Sequence, residues 1–203
     1  MTSNIQSQNS LIEVCRKLRI KGLVNATHGN LSVREDNLMY ITPTGCDLET
    51  VMTDDLVAVD IESGRTVSSG RPSKEYEMHL MAYRNRPDIT AVVHAHSPKT
   101  VAAACLPDAD FDDLLPSYTL AFALFTRHLP VVGYFKAGSH ELALAASEKL
   151  KNHNAVLLAH HGLITVSDTI MKAYYRLEEI EENSEIALSI GLKGNRALDP
   201  DSL

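Results

Sequence analysis

Short apolar runs alternate along the chain with polar turns, and their period switches between the spacings of strand and helix. Residues Ser10 to Lys21 place Leu11, Ile12, Cys15, Leu18 and Ile20 partly at helical spacing, and Gly22 follows as a terminator. Asn30–Arg34 and Leu38–Ile41 read as short strands split by the turn Glu35-Asp36-Asn37, a hairpin pattern. Leu56–Ile61 reads as another strand, closed by the turn Glu62-Ser63-Gly64. Ser73–Asn85 has a helical pattern offering Met78, Leu80, Met81 and Tyr83 to a core, with Pro87 just beyond it. Ile89–His94 reads as a buried strand ending in histidine, and Pro98–Cys105 as a helix that tolerates proline in its first turn. Leu129–Phe135 is a predicted strand and His140–Lys151 a predicted helix. Ala155–His160 is a further apolar strand that ends in histidine. The last helix spans about Ser167 to Leu192, with Glu178, Glu179, Glu181, Glu182 and Glu185 on a face most simply read as solvated.

Helices and strands therefore alternate without strict βαβ regularity, which predicts one α/β domain over residues 1–203 with a mixed sheet. The early hairpins disfavour a parallel doubly wound sheet. A formal charge of −7 argues against a nucleic-acid partner, because that affinity is built on phosphate neutralisation by Lys and Arg. Three widely spaced cysteines, Cys15, Cys46 and Cys105, form no CxxC pair and no disulfide framework, so a reducing cytoplasm is expected. The N-terminus has no basic region followed by an apolar core, so no signal peptide is expected. No apolar run approaches the ~20 residues of a membrane span, so no membrane partner is expected either.

The candidate chemistry lies in the histidines. His94 and His96 stand two apart at a strand end, and a period of two points both side chains to one face of the sheet. His161 follows the second apolar strand, and Gly162 permits a tight exit. Three neutral imidazoles would leave positions open for water or substrate, the pattern of a catalytic metal site. A lone HxH is more often a surface strand; two apolar strands that each deliver histidine tilt the reading toward a metal. Glu75 follows Pro72-Ser73-Lys74 at a helix start, where a carboxylate serves either the helix dipole or a ligating, proton-transferring role. Nothing local decides between these. Three turns, Thr27-His28-Gly29-Asn30, Thr42-Pro43-Thr44-Gly45 and Pro72-Ser73-Lys74, carry donors suited to a small anion, although each alone is an ordinary turn or cap.

In order along the chain, GNLSVR (Gly29 to Arg34), ITPTG (Ile41 to Gly45), RPSKE (Arg71 to Glu75), VVHAHS (Val92 to Ser97), YFKAGSHELA (Tyr134 to Ala143) and LLAHHGLIT (Leu157 to Thr165) resemble the class II aldolase/adducin family. That family includes fuculose-phosphate aldolases, ribulose-phosphate 4-epimerases and 3-oxo-tetronate 4-phosphate decarboxylases. The resemblance implies a three-layer α/β/α sandwich on a mixed, mostly antiparallel central sheet. It implies a divalent ion, most often Zn2+ with Mn2+, Co2+ or Fe2+ as alternatives, held by His94, His96 and His161. Of the two histidines in LLAHHG, the ligand corresponds to the one before glycine. Glu75 is implied as fourth ligand and as acid/base. Asn30, Thr44, Gly45 and Ser73 match positions that hold a substrate phosphate. Lys74 stands where the fuculose-phosphate aldolase pattern has a second Ser, and PSKE is closer to the decarboxylase group. Tyr118 is the counterpart considered for the aldolase's catalytic tyrosine. A homotetramer with sites between subunits is implied as well.

The function so implied is a metal-dependent lyase that cleaves a carbon–carbon bond in a small ketose phosphate through a metal-stabilised enediolate. Decarboxylation of a 3-oxo-tetronate 4-phosphate passes through the same enediolate and ranks next. A sugar-phosphate 4-epimerase and a non-catalytic adducin-like module rank below these. The epimerase group has Asp where Glu75 stands, and the adducin-like modules lose metal ligands that are kept here.

Overall fold

The computed structural model describes residues 2–191 and 196–203. Its centre is a seven-stranded sheet ordered β3-β2-β1-β4-β7-β6-β5. The strands are β1 (Asn30–Glu35), β2 (Leu38–Ile41), β3 (Val57–Asp60), β4 (Ala91–Ala95), β5 (Val131–Val132), β6 (Ala155–Leu158) and β7 (Gly162–Ser167). Every pairing is antiparallel except β5 with β6. The helices are α1 (Thr2–Ile20), α2 (Tyr76–Asn85), α3 (Pro98–Ala104), α4 (Leu120–Phe125), α5 (His140–Leu150) and α6 (Ile170–Ile190).

The alternation of the central strands divides the core in two. Leu31, Val33, Ala91, Val93, Ala155 and Leu157 face one apolar layer with residues of α1, α3, α4 and α6. Val92, Val156, Leu158, Ile164 and Val166 face the opposite layer with α2 and α5. Both faces of the sheet are thereby covered, and the expected α/β/α sandwich with a mixed, mostly antiparallel sheet is what forms. Among the described residues, no helix is long and apolar enough to cross a membrane.

Several elements depart from the pattern reading, each for a local reason. The helix expected from Ser73 begins at Tyr76, because the Ser73 N–H donates to the Thr42 carbonyl and Pro72 bridges Pro43, which ties this stretch to the Thr42–Thr44 loop. The strand expected over Leu129–Phe135 shrinks to two residues. The Leu129 and Val131 N–H groups go to Asp113 and to the Phe111 carbonyl rather than to a sheet neighbour. The run Ala155–His160 ends as a strand at Leu158; His160 then adopts a positive φ of 58° and turns the chain into β7, which the pattern reading did not separate. Helix α4 was not anticipated. It starts where Thr119 accepts the Phe122 N–H, an N-cap of the usual kind. Helix α6 starts later than expected, capped by Thr169, and Leu192 lies outside the described residues. The acidic face of α6 is not wholly solvated: the Glu181 carboxylate accepts the N–H groups of Lys99 (2.9 Å) and Thr100 (3.0 Å). It thereby caps α3, whose own preceding residue, Ser97, makes no side-chain cap.

Candidate metal centre and active site

The register of the sheet assembles the site. Asn30 on β1 is paired with His94 on β4, which is in turn paired with Ile164 on β7. His96 lies just beyond β4 and His161 in the turn between β6 and β7, so two neighbouring strands open their ends into one space. Ligand nitrogens of His94, His96 and His161 all lie within 4.8 Å of one another. His160 turns away, with its Nδ1 3.6 Å from Cys105 Sγ. The turn works because Gly162 has no side chain: a Cβ there would sit 2.5 Å from the Ala95 carbonyl oxygen and 3.1 Å from His94 Cε1. Gly162→Ala is therefore expected to force β7 off β4 and cost about 1–3 kcal/mol. A lowered urea midpoint together with weaker binding of added divalent metal is the expected result, and an unchanged midpoint would refute this packing argument.

Glu75 reaches the cluster from the residue before α2. Its Oε2 is 3.3 Å from His94 Nε2, and its Oε1 is 3.2 Å from His161 Nε2. His94 Nδ1 lies 3.1 Å from the Leu163 carbonyl oxygen, an acceptor, so Nδ1 carries the proton. Burial pushes His94 down to about 4, so at neutral pH its Nε2 is a bare lone pair aimed at a carboxylate. Burial, joined by His94 and His161, pushes His96 down to about 3. Burial also raises the Glu75 carboxyl, but His94, His161 and the Asn30 amide outweigh it and hold the group below the usual carboxylate range.

Glu75 Oε1 and His94 Nε2 are buried with no hydrogen-bond partner among the described residues. Unpartnered acceptors in a dry place are costly, and a divalent cation held by these residues would remove that cost. The donor set of three imidazoles and one carboxylate suits zinc and its first-row neighbours. The residues present therefore fit a metal.

Above the cluster lies a cavity of about 380 Å³, lined by residues of all three predicted anion loops. Thr27, His28, Thr44, Gly45, Ser73 and Lys74 stand on its wall beside His96 and His161. The His28 ring stacks on His96 with centroids 4.7 Å apart. Some expected donors are engaged elsewhere. The Thr44 N–H donates to the Arg71 carbonyl and the Ser73 N–H to that of Thr42. Asn30 also lines the cavity, but its amide nitrogen donates to Glu75 Oε2 (2.9 Å) and its oxygen lies 2.6 Å from His79 Nε2. The ligands left to an anion are the hydroxyls, the Lys74 ammonium and the turn at Gly45. Tyr118 is not brought to this cavity within the chain. Its hydroxyl donates to the Gly191 carbonyl, and its N–H to Asn183 on α6.

The pattern reading passed over His79, which is fully buried and which burial pushes down to about 3. The signal was present: Glu75, His79 and Tyr83 recur every four residues, the spacing of one helix face.

Fold and site together define an α/β/α protein in which three histidines and a carboxylate, a donor set fit for a metal, meet under a cavity lined by polar loops. The sequence matches the family described as Class II Aldolase and Adducin N-terminal domain over residues 9–188. The chain belongs to that family and is one of its aldolase-type lyases. It is 36% identical over 175 residues to an L-fuculose phosphate aldolase of Methanococcus vannielii, covering 86% of this chain and 92% of the relative. It is 29% identical over 189 residues to a 3-oxo-tetronate 4-phosphate decarboxylase of Haemophilus influenzae, covering 93% and 90%. A solved structure of L-fuculose 1-phosphate aldolase superposes with a TM-score of 0.87 at 32% identity, covering 97% of this chain and 92% of that one.

Proposed function

We propose that this chain is a single catalytic domain that cleaves a carbon–carbon bond in a small ketose phosphate, as a fuculose-phosphate aldolase does. The observation that carries the reading is the convergence of His94, His96, His161 and Glu75 at the floor of a cavity whose wall carries hydroxyls and Lys74. The three histidines and Glu75 hold the cation, which when bound supplies a Lewis acid for the substrate's carbonyl and adjacent hydroxyl oxygens. Thr44, Gly45, Ser73 and Lys74 orient the phosphate, and Asn30 acts beside them on Glu75. Once displaced from the cation, Glu75 has an oxygen that no protein donor occupies, and it transfers the proton at the carbon left electron-rich by bond cleavage. Family reading further supports zinc as the ion, a homotetramer as the assembly and the cytoplasm as the compartment; the three cysteines are all unpaired, in keeping with the last.

Lys74 favours a second reading. Lys74 lines the same cavity, where an ammonium complements a substrate carboxylate as readily as a phosphate, and loss of carbon dioxide from a β-keto acid phosphate leaves the same enediolate. Proton NMR of the zinc-loaded protein with dihydroxyacetone phosphate in heavy water tests both. Stereospecific loss of one carbon-bound proton signal is the expected result, and condensation with an added short aldehyde identifies the aldolase. Exchange without condensation favours the decarboxylase. No exchange at all would overturn both readings.

A further inference from the structure

Behind Glu75 a line of buried polar side chains runs back between α2 and the sheet. On α2 and the residue preceding it, Glu75, His79 and Tyr83 stack at intervals of four; on β1, Asn30 and Ser32 alternate onto the same face. The contacts connect them in order. The Tyr83 hydroxyl lies 2.8 Å from Ser32 Oγ and 3.0 Å from the Ser32 carbonyl oxygen. Ser32 Oγ lies 2.8 Å from His79 Nδ1, and His79 Nε2 lies 2.6 Å from Asn30 Oδ1. Asn30 Nδ2 then donates to Glu75 Oε2 at 2.9 Å.

Donor and acceptor chemistry fixes the direction of this line. An ionised carboxylate only accepts, so Asn30 must turn its NH2 to Glu75 and its oxygen to His79. That oxygen only accepts, so the His79 proton is on Nε2. The neutral ring then offers Nδ1 as an acceptor, and the Ser32 hydroxyl must donate to it. The Ser32 oxygen is left to accept from Tyr83, whose single proton is shared with the Ser32 carbonyl. Every proton in the line therefore points toward Glu75.

Resting on the reaction proposed above, we propose that His79 is a positioning residue that locks the Asn30 amide so that Glu75 presents Oε1, and not Oε2, to the reacting carbon. Without the His79 N–H, the Asn30 oxygen loses its buried partner, and nothing holds the amide in place behind Glu75. Glu75 then loses the fixed donor at Oε2 that sets its orientation. Ser32 and Tyr83 act one step further back, by holding His79 in its Nε2–H tautomer. A merely structural network would leave turnover alone once the protein is folded; a positioning line does not.

The test has two readouts. Imidazole 15N–1H correlation NMR of the full chain, metal-free and zinc-loaded, is expected to find His79 protonated at Nε2 and bare at Nδ1. The opposite tautomer reverses the line and overturns the proposal. Exchange of dihydroxyacetone phosphate in heavy water is then compared among wild type, His79→Leu and His79→Gln. The leucine variant is expected to exchange about 10–100-fold more slowly at saturation, with KM and zinc content unchanged, as for loss of a partner that orients a ligating group. Glutamine, which can donate to Asn30, is expected to restore part of the rate. Wild-type exchange in the leucine variant, or a loss matched by lost zinc, would overturn the assignment. Should the leucine variant not fold, Ser32→Ala removes only the hydroxyl facing Nδ1. A mixed tautomer and slower exchange are then expected, and an unchanged ring and rate would sink the idea. If wild type itself shows no exchange, the proposed reaction fails while the tautomer still judges the line.

Discussion

Glu75→Gln is expected to keep its cation and lose about 10²–10⁴-fold in turnover, the range that a positioned acid/base contributes. At about 1.36 kcal/mol per decade, this corresponds to roughly 3–5 kcal/mol of transition-state stabilisation. Glutamine has the shape of glutamate, so the backbone before α2 is undisturbed. Its amide oxygen can still accept from Asn30 Nδ2, where Glu75 Oε2 now does at 2.9 Å. What it cannot do is take up a proton at the other position, the buried Oε1 that lacks a hydrogen-bond partner among the described residues. An NH2 group takes that position, 3.2 Å from His161 Nε2 in the wild type, and offers no basic lone pair. Metal content by atomic spectroscopy and exchange of dihydroxyacetone phosphate in heavy water, on the same sample, separate the two roles. Retained metal with near-normal exchange would remove Glu75 from the chemistry. Metal lost in proportion to activity would make it a ligand only.

The sequence carried the floor of the site more clearly than its walls. His94 and His96 were legible because a strand's period of two admits only one reading of HxH once the strand is buried. His161 needed more, since nothing periodic says that β7 lies beside β4; the antiparallel pairing that sets Leu163 against Ala95 is a long-range fact. The motif LLAHHG supplies it through the family resemblance, where periodicity does not. Turns are harder, because their N–H groups can serve the fold or a ligand and the residue types are the same in both cases. Thr44 and Ser73 illustrate this: their backbone donors stitch two loops together, while both residues also line the cavity. Asn30 is an equal case, matched to a phosphate position by motif, yet in the structure it has both ends of its amide engaged by Glu75 and His79. Helix boundaries failed where proline and a loop tie overrode pattern, as before Tyr76. The four-residue spacing of Glu75, His79 and Tyr83 was visible throughout, but buried polar residues on an otherwise apolar face gain meaning only when their partners on β1 are known.

His96→Ala is expected to abolish tight metal binding and activity together. Loss of a partner that merely orients a ligand costs about 10–100-fold in affinity, so removing a ligand itself is expected to exceed about 100-fold. The consequence extends to stability by linkage. With free zinc at 100 times its dissociation constant, a one-site protein gains about 2.7 kcal/mol. For a chain of this size that is roughly 5–10 °C in Tm. Wild type should show this rise, and His96→Ala should show almost none at the same zinc concentration. The matched control is His28→Ala. The His28 ring lies against His96, 4.7 Å between centroids, but it is exposed and is not among the nitrogens that converge within 4.8 Å. It is expected to keep stoichiometric zinc and the full thermal shift. If His96→Ala retained stoichiometric zinc and the shift, the cation would have to be held by His94, His161 and Glu75 alone, and His96 would belong to the cavity wall with His28. Such a site would still satisfy the bare lone pairs of His94 and Glu75, which is why metal content and Tm must be read on both variants rather than on one.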